Sequence, residues 1–193
     1  MKKTAFYTGV PLLALALAAA PAPAQTVKGF QPILVTSCGQ SPAPVMMKVI
    51  LQKAGLLYEI EPLATGADLK AKNPKSLIIT MGASLKGMGA AGISIDDELA
   101  RIGALIEEAR KMKIMVFGAH IEGMKRRAQG ADAGDTTDEQ SIDAVAPKCD
   151  CLLILKEGND DNRFTDIVKA KKIPMIVVEK NLDFVAQLTA IFK

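Results

Sequence analysis

The chain has 193 residues, 49% hydrophobic and 23% charged, which fits one folded domain and excludes a disordered chain. Lys and Arg number 24 against 21 Asp and Glu; removing Lys2 and Lys3 with an expected leader leaves 22 against 21. No sign dominates, so total charge supports neither nucleic acid nor anionic lipid as a partner, and with no Trp there is little to stack bases, flavins or sugars.

The leader comes first. Met1-Lys2-Lys3 is a positive start, Val10 to Ala20 is apolar, and Ala22-Pro23-Ala24 supplies small residues before Gln25. This pattern predicts a secretory signal peptide over 1–24, cleaved after Ala24. The apolar run is too short to cross ~30 Å of hydrocarbon at ~1.5 Å per residue. The expected mature protein is therefore a single domain, 25–193, periplasmic or secreted, with no membrane insertion once the leader is removed.

Pro32 to Thr36 reads as a first strand, followed by the loop Ser37-Cys38-Gly39-Gln40-Ser41-Pro42. Ser41 and Pro42 then open a helix that Gly55 stops. Leu57 to Ile60 is a second strand and Ser76 to Met81 a third. The Gly-rich stretch from Gly82 to Gly92 reads as a flexible loop that closes over a ligand, with Lys86 reaching in. Ser94 and Asp97 have capping-box spacing and open a helix to about Lys111. Ile114 to Phe117 is a fourth strand, followed by Gly118-Ala119-His120. Residues 121–135 are polar, with a short helical turn at Arg126 and Arg127. Thr136 and Glu139 suggest a further capping box, on a helix that ends near Pro147. Cys151 to Leu155 is a fifth strand, Phe164 to Ala170 a helix, Pro174 to Val178 a sixth strand, and Leu182 to Phe192 the closing helix.

Continuous apolar strands alternating with helices predict a three-layer, doubly wound α/β domain. Its mainly parallel sheet should have five to six strands and be flavodoxin-like in outline. Ligands of such sheets bind beyond the carboxyl ends of the strands. That rule selects Ser37, Cys38, Gly39, Gln40 and Ser41 as a cradle for an anion or carboxylate at a helix N-terminus. It also selects Gly82, Ser84, Lys86 and Gly87 after the third strand, His120 and Glu122 after the fourth, Arg126 and Arg127 as cationic clamps, and Glu157 after the fifth.

Gly87 to Gly92 spells G-x-G-x-x-G, but it starts five residues beyond its strand and lacks the acidic residue a dinucleotide site needs. Met88 also stands where a phosphate loop requires Lys. No cofactor is expected. No C-x-x-C or H-E-x-x-H pattern exists, so no metal is expected either. The three cysteines leave at least one thiol unpaired in an oxidising compartment. A bridge from Cys38 to Cys149 or Cys151 looks too long, and a Cys149–Cys151 ring would be small and strained. Cys38 stays open between a nucleophile paired with His120, a soft metal ligand and a small buried hydrophobe.

Three segments carry a resemblance: Pro32 to Pro42 (PILVTSCGQSP), Gly82 to Ile95 (GASLKGMGAAGISI) with Asp96-Asp97-Glu98, and His120 to Arg127 (HIEGMKRR). Together they resemble a family of small exported bacterial α/β proteins classed as a domain of unknown function. The resemblance implies export and the same fold over nearly the whole mature chain, and it brings no catalytic residue.

The leading expectation is a protein that binds a small polar or anionic molecule, in partnership with a membrane transporter or sensor. One alternative is a thiol-dependent hydrolase or transferase using Cys38 and His120. Another is an interaction module that docks through residues 121–135.

Overall fold

The computed structural model describes residues 27–127 and 136–192. The expected leader, and residues 128–135 of the polar stretch, lie outside the described residues. In chain order the elements are β1 (Ile33–Cys38), α1 (Ala43–Lys53), β2 (Tyr58–Ile60), α2 (Gly66–Lys72), β3 (Ser76–Met81), α3 (Leu85–Ala91) and α4 (Ile95–Lys111). They continue as β4 (Met115–His120), α5 (Thr137–Val145), β5 (Cys151–Leu155), α6 (Arg163–Lys171), β6 (Met175–Val178) and α7 (Phe184–Ile191).

All six strands are parallel, in the order β2-β1-β3-β4-β5-β6. β1, β3 and β5 are buried along their whole length, which is why their sequences are apolar without alternation. Leu34, Leu77, Ile79, Val116, Leu152 and Ile154 face one layer with Leu69 of α2 and the apolar sides of α4, α5 and α6. Ile33, Val35, Ile78, Phe117 and Leu153 face the other layer, under α1 and α7. The fold is three-layer α/β, with its switch in strand order between β1 and β3. Among the described residues no helix is long and apolar enough to cross a membrane.

The longest helix shows how local sequence sets the layer. The Ser94 hydroxyl accepts from Asp97 N at 3.1 Å, and the Asp97 carboxylate accepts from Ser94 N at 3.0 Å. Asp96, Asp97 and Glu98 crowd the first turn of α4, and Arg110 and Lys111 the last, matching the helix dipole. Ile102, Leu105, Ile106 and Ala109 then fall on one face and are buried. Full burial of each large aliphatic side chain stabilises by about 1.5–3 kcal/mol.

Two segments differ from expectation. The stretch from Gly82 to Gly92 is not a flexible loop: it contains α3, with Ser84 accepting from Gly87 N at 3.1 Å and Gly92 ending it at φ 68°. Gly87 serves close approach, since a Cβ there would sit 2.0 Å from Gln40 O. α2 was not anticipated, because it buries only Leu69 and shows no apolar period. Its signal is polar: Thr65 and Asp68 form a capping box, with Thr65 N donating to Asp68 at 2.8 Å.

Candidate functional site

At the β1–β3 switch the expected cradle is filled from within. The Glu98 carboxylate accepts from Gly39 N at 2.8 Å and from Gln40 Nε2 at 2.9 Å. Gln40 Nε2 also lies 3.0 Å from Pro62 O. Gly82 N donates to Ser141 at 2.9 Å, Ala83 N to Asp138 at 2.7 Å, and Ser84 N to Gly39 O at 2.7 Å. At the N-terminus of α1, Pro42 and Pro44 have no N–H, and Ala43 N donates to the Ser41 hydroxyl at 3.3 Å. The expectation of free N–H donors in Ser37–Ser41 is thus corrected. An anion entering there would meet Glu98 and Asp138 in place of donors.

The Cys38–His120 pair does not form. Cys38 lies beside Met81 in register, and Thr80 beside Ala119, so Met81 stands between Cys38 and His120 across the sheet. Two strand spacings put the two backbones roughly 10 Å apart. Cys38 is fully buried, and its thiol is pushed up from the ordinary range by burial, then by Glu98. A nucleophile needs the opposite shift. Burial also raises Cys149, and it pushes Cys151 up to about 12. All three thiols are free, and Cys149 and Cys151 belong to opposite layers of the sheet.

His120 was expected beyond its strand, yet it is the last residue of β4 and is fully buried. Gly118 lets the strand run on, because a Cβ there would meet Cys149 Sγ and Leu152 Cδ2 at 2.9 Å. His120 Nδ1 lies 3.1 Å from Met81 O and Nε2 3.1 Å from Gly123 O, so a neutral ring donates to one of them. Its ring packs 5.2 Å from that of Phe164. Burial holds its pKa below the ordinary histidine value, outweighing the two carbonyls; Arg127 adds to the lowering and Glu122 opposes it. The unfolded chain therefore takes up a proton below about pH 6.5 that the native state refuses. The contribution is complete above that pH and is lost as pH falls towards the folded pKa, by at most about 1.4 kcal/mol per unit. Urea midpoints at pH 7 and 5.5 should differ less in His120→Gln than in the parent; equal differences would place the titration elsewhere.

Of the two arginines expected in a helical turn, Arg126 closes the turn Gly123–Arg126 and Arg127 follows it in extended backbone, and both side chains are tied to protein groups. Arg126 donates to Ala83 O at 2.8 Å and to Glu122 at 3.3 Å. Arg127 is buried against Glu139 at 2.6 Å. Thr136 does cap α5, accepting from Glu139 N at 3.3 Å, while the Glu139 side chain turns to Arg127 and Arg163 and leaves the capping box incomplete. Lys86 is exposed on α3.

The open space lies further along the same edge, where β4, β5 and β6 end against α1. A cleft of 420 Å³ has Pro42, Met46, Ile121 and Leu155 as apolar wall, and Glu122, Lys125, Glu157 and Asn181 as polar groups. Gly123, at φ 64°, lets Glu157 lie against the backbone; a Cβ there would meet its carboxylate at 2.9 Å. Asn181 Nδ2 donates to Ile121 O at 2.9 Å, while its Oδ1 is buried with no donor, as is Glu122 Oε2. Of the expected site residues, Glu122 and Glu157 meet here. Asn181 was missed, although it follows a strand end like the others.

An open parallel sheet with helices on both faces defines the class of three-layer α/β proteins. Within that class the chain belongs to the family described as a domain of unknown function (DUF6305), which matches residues 30–192. No curated protein matches it. Among solved structures it is similar to the psychrotrophic esterase EstA from Pseudoalteromonas sp., at 10% identity and TM-score 0.37, over 77% of this chain and 78% of that one. It is also similar to a GDSL-like lipase from Bacteroides thetaiotaomicron, at 15% and 0.34, over 77% and 71%. An archaeal fructose 1,6-bisphosphate aldolase gives 14% and 0.31, over 88% and 85%. Likeness at this level carries no chemistry across.

Proposed function

We propose that the chain is an exported binding protein whose cleft between β4, β5, β6 and α1 holds a small polar molecule bearing an ammonium or amide donor. The observation that carries this is the buried Asn181 Oδ1 with no donor, in a cleft shared with Glu157 and Lys125, which have no partner among the described residues. An unsatisfied buried acceptor costs about 1–3 kcal/mol, which a ligand donor returns. Glu157 and Glu122 suit an ammonium group, Lys125 suits a carboxylate, and the Met46–Ile121–Leu155 wall suits a short apolar body. A free amino acid has all three features. Export rests on the leader pattern, and a transporter or sensor partner follows from small-solute binding outside the cytoplasm.

Calorimetry on residues 25–193 with amino acids, diamines and dicarboxylates tests the reading. Amino acids or diamines should bind, and Glu157→Gln and Asn181→Leu should each weaken binding about 10- to 100-fold, the loss of one charged or buried hydrogen bond. Tighter binding of dicarboxylates, or unchanged affinity in both variants, would overturn it.

A further inference from the structure

The near-neutral total conceals a segregation of charge. Because all strands are parallel, the loops that precede them share one edge, opposite the cleft. Three depressions run along it. Phe30, Lys75 and Lys113 border one of 380 Å³ and, with Arg110 and Asp150, one of 430 Å³; Arg110, Lys111 and Lys148, with Glu107 as the one acidic residue, border one of 600 Å³. Helix C-termini account for Arg110 and Lys111. Lys113 also belongs to the α4 C-terminus, its N–H donating back to Arg110 O at 3.1 Å, but Lys75 in the loop before β3 and Lys28 before β1 are not explained in this way. Lys28, Lys113 and Lys148 have no acidic partner among the described residues, and Lys75 reaches only Asn73, at 3.3 Å. Arg110 is paired with Asp150 at 2.7 Å, and Lys111 with Glu108 at 3.6 Å.

Two large apolar side chains protrude on this edge. Phe30 is 52% exposed and Leu57 is 68% exposed. They are held near each other, since Leu57 N donates to the Gln31 side chain at 2.6 Å. In a chain with so few aromatic residues, one stands in water beside unpaired lysines.

We propose that this amino edge docks on the surface of an anionic phospholipid membrane. Phe30 and Leu57 enter the headgroup boundary, and Lys28, Lys75, Lys113 and Lys148 lie against the phosphates. The chemistry favours a bilayer over a folded acidic partner. Most of the unpaired cations are lysines, flexible point charges that suit diffuse headgroup charge, and the one arginine bordering the depressions is already paired to Asp150. Exposed apolar tips among lysines match interfacial binding. Docked in this way, the protein turns its cleft away from the membrane.

Co-sedimentation with vesicles tests it. The protein should pellet with vesicles containing phosphatidylglycerol at low ionic strength, and much less with pure phosphatidylcholine or at high salt. Lys75→Glu/Lys113→Glu should weaken binding at least tenfold, since each lysine contributes roughly fivefold. Phe30→Ser should weaken it severalfold and keep the salt dependence. Unchanged melting temperatures exclude misfolding as the cause. No binding to anionic vesicles, equal binding to neutral ones, or indifference to the charge reversal would overturn the proposal. Displacement by millimolar inorganic phosphate would reassign the edge to a small anion, and tighter binding of polyglutamate would reassign it to an acidic protein.

Discussion

Arg127→Met is expected to cost the fold about 3–5 kcal/mol, the range for breaking a buried ion pair from one side. The Arg127 side chain is 1% exposed and Glu139 is fully buried. The guanidinium Nε donates to Glu139 Oε1 at 2.6 Å, Nη1 to Gly158 O at 2.5 Å, and Nη2 to Asp161 Oδ2 at 2.5 Å. It also covers the Phe164 ring at 5.4 Å. One planar group thus joins the turn after β4, the first turn of α5 and the turn after β5. A lysine has one point charge and cannot span these acceptors, so Arg127→Lys should recover little. Arg127→Met/Glu139→Leu should be more stable than Arg127→Met alone, because the fully buried Glu139 carboxylate is then no longer left facing a missing partner, while the more exposed Asp161 loses Arg127 in both. Arg163, 2.7 Å from Glu139, sets a floor under the single loss. Urea midpoints of these proteins and of Glu139→Leu alone decide it; single costs that simply add up to the cost of the double variant would show that the two groups are not coupled.

What could be read from the sequence divides by range. β5 is legible to the residue, Cys151–Leu155, because a strand buried on both faces has no polar position to blur its ends. The α4 start is legible because both partners of its capping box lie three residues apart. The glycines mislead. Gly87 and Gly118 mark close approach, to Gln40 O and to Cys149 Sγ, and each partner is distant in sequence. The strand-end segments lie on the expected edge, but β1 runs on through Ser37 and Cys38 and β4 through His120, and what fills the loops was not legible. Gly39 meets Glu98, 59 residues away, and Ala83 meets Asp138, 55 away. No local pattern announces such pairings. Glu98 reads as a third acidic residue in a helix start, and Asp138 as a solvated cap neighbour. Asn181 was missed for a related reason: an Asn after the last strand reads as an ordinary turn until Ile121 O is seen to take its amide and leave its oxygen bare.

Glu98→Ala should destabilise by about 3–5 kcal/mol, a drop in melting temperature of about 10 °C. Glu98 is fully buried. Its Oε1 accepts from Gly39 N and Gln40 Nε2, and its Oε2 accepts from Arg101 Nε at 2.9 Å. Arg101 in turn donates to Ala64 O at 2.7 Å and to Ser37 O at 2.6 Å. The carboxylate therefore holds α4, the β1–α1 loop and the segment before α2 to one point. Removing it leaves Gly39 N without an acceptor and Arg101 without a counter-charge. It also opens an anion-sized space of the kind the loop was expected to offer, lined by the Gly39 N–H and the Gln40 amide, with the Arg101 guanidinium as a third group that the sequence pattern did not suggest. Added acetate should raise the melting temperature of Glu98→Ala and leave that of the parent unchanged, since the parent's own carboxylate already occupies the place. Glu98→Gln should lose less stability and respond less to acetate. An equal effect of acetate on all three proteins would mean that the space collapses on mutation, and that Glu98 braces the loop by packing more than by charge.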